Sequence, residues 1–525
     1  MEEVWVSTKG YMSPLVPIKT KLERVQKGLK NWSKNSFGNI TKQLGIVRKN
    51  LREAEAKAIQ NGRGQMDLVL SLKEELQSLL VQEEKLWQQR AKTAWLNDGD
   101  QNSKFFHSRA SHRFRRNEIL KLQRDDGSWC EGEHQIAPLF VNYFSTLFRS
   151  DDPNIGHIDD VLAATPQVVT PEMNLDLLAE FTKTEVDVAL KQMAPLKAPG
   201  PDGLPPIFYQ HYWNKIGGDV AKAVLTWLNS GIIYPSFNHT YITLIPKVKC
   251  PKQVTEFRPI ALCNIMYKLV SKVLANRLKK LLPDVISESQ SAFQSDKAIS
   301  DNILVAFESL HHMKHKRMGN TSFMAMKLDM SKAYDRVEWN FLCRLMAKMG
   351  FDDRWIQLIY GCISSVSYSI LVNGEPHGDI KPTRGLRQGN PLSLYLFLLV
   401  SEGLNGLIQQ AVGVGDIKGF SLCRNGPRIS HLFFADDTLL FCRAELREVQ
   451  SVQNILRKYE LALGQKINQG KTTLFFGRSV SLVLKNAIKN LLGVPEIREY
   501  ERYLGLPAVV GKNRRASLNY IKERV

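Results

Sequence analysis

The stretch that most constrains this chain is His431-Leu432-Phe433-Phe434-Ala435-Asp436-Asp437-Thr438-Leu439-Leu440-Phe441. Two adjacent carboxylates sit between apolar, aromatic-rich runs. The runs predict short buried strands, and the acids between them predict a tight turn. A buried carboxylate is costly unless a cation or donor answers it. Two readings fit the pair. One is an Asx-type hairpin turn with both acids in water. The other is a metal site at a hairpin tip, where oxygen ligands suit Mg²⁺.

A second acid favours the metal. Phe323-Met324-Ala325-Met326-Lys327-Leu328 is an apolar run that ends in Asp329, and Met330-Ser331-Lys332-Ala333-Tyr334-Asp335 then turns helical toward Gly350. An acid at the end of a strand plus an acid pair on a hairpin is what a two-metal phosphoryl-transfer site needs. Its two ions, about 3.5–4 Å apart, are bridged by carboxylates from separate elements. The pattern Asp-x-x-x-Ala-Tyr followed by Phe-Ala-Asp-Asp, about a hundred residues apart, resembles motifs A and C of reverse transcriptases.

At 525 residues the chain exceeds one ordinary domain. Lys and Arg total 71 against 52 acids, a net charge of +19. That excess points to a polyanionic partner, nucleic acid before anionic membrane. The seven cysteines are dispersed, without zinc spacing, which fits free thiols in a reducing compartment. Met1-Glu2-Glu3-Val4 does not open a signal peptide. The apolar run around Leu394–Val400 reads as too short to span a bilayer. The expected location is intracellular, in nucleus or cytoplasm and not secreted, with no membrane partner.

Apolar residues recur at helical spacing from Leu22 to Trp32, from Ile40 to Ala58 and from Leu72 to Leu86, with Asn61-Gly62-Arg63-Gly64 as a break. This predicts an antiparallel helical hairpin of coiled-coil character. A basic run follows, holding Arg109, Arg113, Arg115, Arg116 and Lys121, and it predicts a helix carrying these charges. It could lie along a phosphate backbone or be a solvated face. Asp125-Asp126-Gly127-Ser128-Trp129 signals a hairpin turn. Thr182 caps an amphipathic helix leading to the rigid loop Lys197–Gly203. Tyr241–Lys247 and Phe257–Leu262 read as paired strands, and their cations Lys247 and Arg258 suit a triphosphate. Arg384-Gly385-Leu386-Arg387-Gln388-Gly389-Asn390 offers glycines that let backbone approach a substrate closely.

Taken together, residues 85–525 look like the reverse transcriptase region of plant LINE-type, non-LTR retrotransposons. The resemblance implies an α+β fold, a right-hand palm and fingers whose antiparallel sheet is flanked by helices, preceded by the helical hairpin. It implies Asp329, Asp436 and Asp437 as catalytic acids, binding two Mg²⁺ (or Mn²⁺) together with the Met330 carbonyl. Tyr334 corresponds to the aromatic that excludes a ribose 2′-hydroxyl, Gln388 and Gly389 line the nucleotide and template pocket, and Lys471 assists the leaving pyrophosphate. The implied partners are an RNA template, a DNA primer and dNTPs. Expected divisions are 1–20 unassigned, 21–95 hairpin, 96–180 basic segment and linker, 181–325 fingers and start of palm, 326–510 palm, and 511–525 the start of a thumb, cut short in a piece of a longer element.

The chain departs from the family at Asn390-Pro391-Leu392-Ser393-Leu394, where an acid is usual, and at Ser295-Asp296-Lys297, where Pro-Gly-Arg is usual. The Asn is expected to remove a charge beside the nucleotide pocket. The leading function is an RNA-directed DNA polymerase. The alternatives are a catalytically silent nucleic-acid-binding relic and a group II intron maturase.

Overall fold

The computed structural model describes residues 15–37, 40–61, 66–91, 103–231, 235–315, 322–423, 426–496, 502–504 and 506–507. The expected Gly62-Arg63-Gly64 break, the Trp95–Asn102 segment and the thumb start at 511–525 lie outside the described residues.

Three helices open the chain: α1 (Leu15–Trp32), α2 (Ile40–Asn61) and α3 (Met66–Ala91). Only α2 and α3 pair as a hairpin, closing small clusters around Leu44, Val47 and Leu79 and around Leu51, Ala54 and Val69. The first helix departs from the expected hairpin. Its Ile18, Leu22 and Val25 enter the main core, and Lys21 pairs with Asp219 at 2.8 Å. The same apolar spacing serves either partner, so periodicity could not choose between them.

The basic helix α4 (Ser103–Asn117) is followed by β1 (Lys121–Gln123) and β2 (Trp129–Glu131), an antiparallel pair turning at Gly127. Helix α5 (Glu133–Leu147) comes next, and two short helices (Ile155–Leu162 and Pro171–Leu178) separate it from α6 (Lys183–Lys191). Thr182 and Glu185 close a capping box on α6, worth about 1 kcal/mol. Glu185 also receives Arg277 at 2.7 and 2.9 Å.

One four-stranded sheet has the order β4-β3-β6-β7, from β3 (His239–Pro246), β4 (Phe257–Cys263), β6 (Ser367–Val372) and β7 (Glu375–Ile380). The expected β3–β4 pairing is antiparallel, while β3 and β6 run parallel. Helix α7 (Ile265–Val285) leaves β4 and packs on the later helix Pro391–Gly413. The loop 197–203 is anchored to this region, since Asp202 N–H donates to Asn264 Oδ1 at 3.0 Å. Lys268 Nζ donates to the Ala198 carbonyl at 3.2 Å.

The second sheet has the order β10-β5-β9-β8, entirely antiparallel. Its members are β5 (Phe323–Leu328), β8 (His431–Phe434), β9 (Asp437–Arg443) and β10 (Thr473–Phe476). Met324, Met326, Leu328, Leu440, Cys442, Leu474 and Phe476 join the main core on one face. Ala325, Leu439, Phe441 and Phe475 form a separate cluster on the other. Side chains alternate across a strand, so a sheet covered on both faces needs continuous apolar runs. Helix α8 (Ile299–His315) supplies Ala306, Leu310 and Met313 to the second cluster. Helices α9 (Trp339–Met349), α10 (Asp353–Ser364), α11 (Pro391–Gly413) and α12 (Leu446–Leu463) contribute to the main core. Each fully buried Leu or Phe contributes about 1.5–3 kcal/mol, enough in sum to offset acids held at the sheet's end.

Helix α11 corrects the expectation that no segment could reach across a bilayer. It is long and apolar enough by composition, but 78% of its apolar window is buried inside the fold. The fold is α+β.

Candidate active site

The acid pair occupies the turn between β8 and β9. Phe434 pairs with Asp437, leaving Ala435 and Asp436 as a two-residue loop. Ala435 has φ +54°, whereas Asp436 does not enter the left-handed region, as in a type II′ hairpin turn. An alanine at positive φ is strained, and the surroundings hold it there. Gln290, fully buried, accepts the Ala435 N–H at 3.1 Å and the Ala292 N–H at 3.0 Å through one carboxamide oxygen. The Phe433 N–H donates to the Ser289 carbonyl at 2.8 Å.

Asp329 follows β5, and β5 pairs with β9, so the three acids gather at one end of the sheet. Its backbone is held twice. The Asp329 N–H donates to Thr472 Oγ1 at 3.2 Å, and its carbonyl accepts from Asn468 N–H at 2.8 Å. Ser331 N–H donates to the Lys466 carbonyl at 2.8 Å, and Met330 bridges Ile467 between these bonds. Successive carbonyls of an extended chain point to opposite sides. Asp329's faces the 466–472 segment, so Met330's faces the β9 side.

Asp436 is solvent-exposed at the hairpin tip, yet nearby protein displaces bulk water and raises its pKa. The Asp329 charge raises it further, while Arg258 opposes the shift. Asp437 is raised by burial first, then by Asp436, with Lys327 opposing. Among the described residues, no three His, Cys, Asp or Glu side chains close into a metal cage. The site is instead a set of carboxylates that repel one another beside an open surface. That donor set fits Mg²⁺, which takes one or two carboxylates and fills its octahedron with water and substrate phosphates.

Tyr334 lies one short turn beyond Asp329 and stacks on Phe397, with centroids 4.5 Å apart and planes 20° from parallel. Its pKa is raised by burial and by the Asp436 charge, which sets the phenol near the acids. Lys332, at φ +57°, donates to the Phe257 carbonyl at 3.3 Å. Burial and the charges of Lys247 and Arg258 hold its ammonium well below the usual lysine range. Lys247 and Arg258, both exposed at one end of the β3–β4 pair, therefore share a cationic surface with Lys332.

The 384–390 loop is fastened from both sides. Gly385 N–H donates to the Val337 carbonyl at 2.8 Å and Leu386 N–H to the Tyr334 carbonyl at 2.7 Å. The Gln388 carbonyl accepts from Ala261 N–H at 3.1 Å. Gly385 (φ +99°) leaves no room for a Cβ, which would lie 2.8 Å from the Asp335 carbonyl oxygen. Gly389 (φ +96°) has space but needs its left-handed backbone. Arg384 is buried against Glu338 at 3.1 Å and reaches Asp151 at 2.7 Å. Arg387 stacks 3.7 Å from the Tyr267 ring centre and donates to the Cys362 carbonyl at 2.7 Å.

Asn390 is 3% exposed. It turns inward, donating to Tyr267 Oη at 3.0 Å and capping α11 at Leu392 N–H. An amide that both donates and accepts suits that buried position. Lys297 also turns inward, donating to the carbonyls of Glu288 and Gln290 at 3.0 Å each.

Lys471 is exposed on the turn entering β10, beside Thr472. Arg109, Arg113, Arg115, Arg116 and Lys121 are exposed on α4 and β1, elements apart from the sheet that carries the acids. Sequence reasoning passed over Lys332, Asp335, Gln290 and Asn302. The first two stood inside the Asp329 motif and the third in Gln290-Ser291-Ala292-Phe293. Each has a polar neighbour in the chain, so no contrast in the sequence marked it.

Residues 245–507, half of the chain, match the family model described as reverse transcriptase (RNA-dependent DNA polymerase). The chain is similar to the transposon TX1 uncharacterized 149 kDa protein of Xenopus laevis, 26% identical over 73% of this chain and 29% of that protein. It is 53% identical to an uncharacterized mitochondrial protein of Arabidopsis thaliana over 13% of this chain and 56% of that one. It is 28% identical to a retrovirus-related Pol polyprotein from type-1 retrotransposable element R2 of Popillia japonica, over 38% of this chain and 26% of the polyprotein. The chain thus spans between about a quarter and just over half the length of these relatives. Matched across the sheet that holds Asp329, Asp436 and Asp437, the chain belongs to the reverse transcriptase (RNA-dependent DNA polymerase) family.

Proposed function

We propose that this chain is the RNA-directed DNA polymerase core of a LINE-type, non-LTR retrotransposon of plant origin, working inside the cell. It joins a dNTP to a primer 3′-hydroxyl opposite an RNA template and releases pyrophosphate. The observation that carries this reading is the meeting of Asp329, from the end of one strand, with Asp436 and Asp437 at the tip of the adjoining hairpin.

Asp329, Asp436, Asp437 and the Met330 carbonyl would hold two Mg²⁺ (or Mn²⁺) ions, whose chemistry is to acidify the attacking hydroxyl and neutralise the departing pyrophosphate. Lys247, Arg258 and Lys332 receive the triphosphate on their cationic surface. Tyr334, fixed flat by Phe397, lies under the sugar and rejects a 2′-hydroxyl. Gln388 and Gly389 line the template and nucleotide pocket, and Lys471 faces the leaving group. The exposed arginines of α4, with Lys121, follow the nucleic-acid backbone, which makes binding salt-sensitive.

Primer extension on RNA and DNA templates tests this reading. Asp329→Asn and Asp436→Asn are each expected to abolish addition while the variants still bind primer–template. Extension at the unmodified rate by either variant would overturn the assignment.

A further inference from the structure

Tyr503, on the short strand β11 (Arg502–Tyr503) paired with β12 (Leu506–Pro507), is 3% exposed and packs in the cluster holding Leu439, Phe441 and Phe475. Its hydroxyl donates to Asn302 Oδ1 at 2.8 Å. The other end of that carboxamide donates to Ser291 Oγ at 2.7 Å and to the Phe433 carbonyl at 3.0 Å. The same carbonyl accepts from Ser291 N–H at 3.1 Å and from Ser291 Oγ at 3.3 Å. Phe433 pairs with Thr438 across the hairpin and stands three residues before Asp436. A buried polar chain therefore runs Tyr503–Asn302–Phe433 into β8, the strand that leads to the acid turn.

Packing alone does not require this arrangement. A phenylalanine would fill the same apolar cluster, whereas the hydroxyl serves only a partner that can accept it. Asn302 is buried on α8 and spends both ends of its amide in the chain. Rotating it would leave its NH₂ group facing the Tyr503 hydroxyl and its oxygen facing a carbonyl. The carboxamide thus has one satisfying orientation, fixed at one end by Tyr503 and at the other by the hairpin. Gln290, the neighbour of Ser291, holds the turn itself at Ala435.

We propose that Tyr503 is a positioning residue for the acid hairpin. It acts through Asn302, so the seating of the β11–β12 pair sets the placement of Asp436 and Asp437. The proposal rests on the polymerase reading for its consequence in catalysis, but the hairpin's rigidity can be read without activity.

The experiment compares the full chain with Tyr503→Phe, Asn302→Leu and the double variant. Hydrogen exchange of the peptide spanning residues 429–441 is measured first, without nucleic acid. Tyr503→Phe is expected to speed exchange there about tenfold, the equivalent of one lost buried hydrogen bond. Exchange in α11 and α12 is expected to stay unchanged. The double variant is expected to be no worse than Asn302→Leu, since both changes break one chain.

Single-nucleotide addition is measured second. For Tyr503→Phe, kcat is expected to fall several-fold while KM for dNTP holds within about twofold. Unchanged hairpin exchange, or exchange raised equally throughout the chain, would overturn the proposal. A loosened hairpin in a chain that adds no nucleotide would uphold the positioning role and refute the polymerase reading instead.

Discussion

The Gln388 side-chain nitrogen lies 3.2 Å from each carboxylate oxygen of Asp335, an acid only 2% exposed. Burial raises the Asp335 pKa, while Lys332, Gln388 and Lys247 pull it back down. This contact ties the 384–390 loop to the segment after Asp329, and it gives Gln388 a structural duty.

Replacing Gln388 with Leu is therefore expected to destabilise the fold by about 1–3 kcal/mol, the cost of stranding a buried acceptor. Gln388→Glu should cost more at neutral pH and recover on acidification, because one of the two facing acids can then carry a proton. Chemical denaturation of both variants at pH 5 and pH 7.5 reads the difference. Equal stability of Gln388→Leu and the unmodified chain would count against the contact.

Tyr334 is held by its stack on Phe397, so its edge presents a fixed wall. Tyr334→Val is expected to raise incorporation of ribonucleotides relative to deoxyribonucleotides by about tenfold or more, since a steric contact worth about 1.4 kcal/mol already changes a ratio tenfold. Competition between rNTP and dNTP in single-nucleotide addition measures it. An unchanged ratio in an active variant would remove Tyr334 from sugar selection.

Asp329 raises the pKa of both hairpin acids by its charge. Without divalent cations these carboxylates repel one another, so Asp329→Asn is expected to raise the melting temperature by about 1–4 °C in EDTA at neutral pH. Added Mg²⁺ should stabilise the unmodified chain and leave the variant nearly unmoved. A variant that melts lower in EDTA would show that Asp329 is a structural acid.

His431 opens β8 and is 3% exposed, with its ring nitrogens against Ser430 Oγ at 2.9 Å and Asn405 Oδ1 at 3.0 Å. Burial depresses its pKa to about 4. The folded chain thus keeps the ring neutral where the unfolded chain binds a proton, near pH 6.5. Its contribution to stability is whole above about pH 6.5 and falls as the pH drops toward 4, by up to about 3 kcal/mol. His431→Asn is expected to flatten that part of the stability curve. Parallel curves for the two proteins between pH 7 and 4.5 would refute the shift.

Much of the site was legible because its chemistry needs residue types that apolar strands otherwise exclude. Acids at the end of one run and between two others stand out, and so does Tyr334 after them. The β3–β4 pairing, the Gly127 turn and the Thr182 cap could also be read, since each rests on neighbours in the chain. The partner of α1, the parallel β3–β6 pair and the inward turn of Asn390 could not, because each depends on residues far away in sequence.

Local pattern by itself determined which segments become strands and helices, where the hairpin turns, and which acids gather at the sheet's end. Only tertiary structure decided which polar residues hold those acids in place. Gln290 reaches Ala435 across 145 residues and Tyr503 reaches Asn302 across 201. A buried hydrogen bond is chosen by the partner that folding brings within about 3 Å, and spacing along the chain carries no record of that partner.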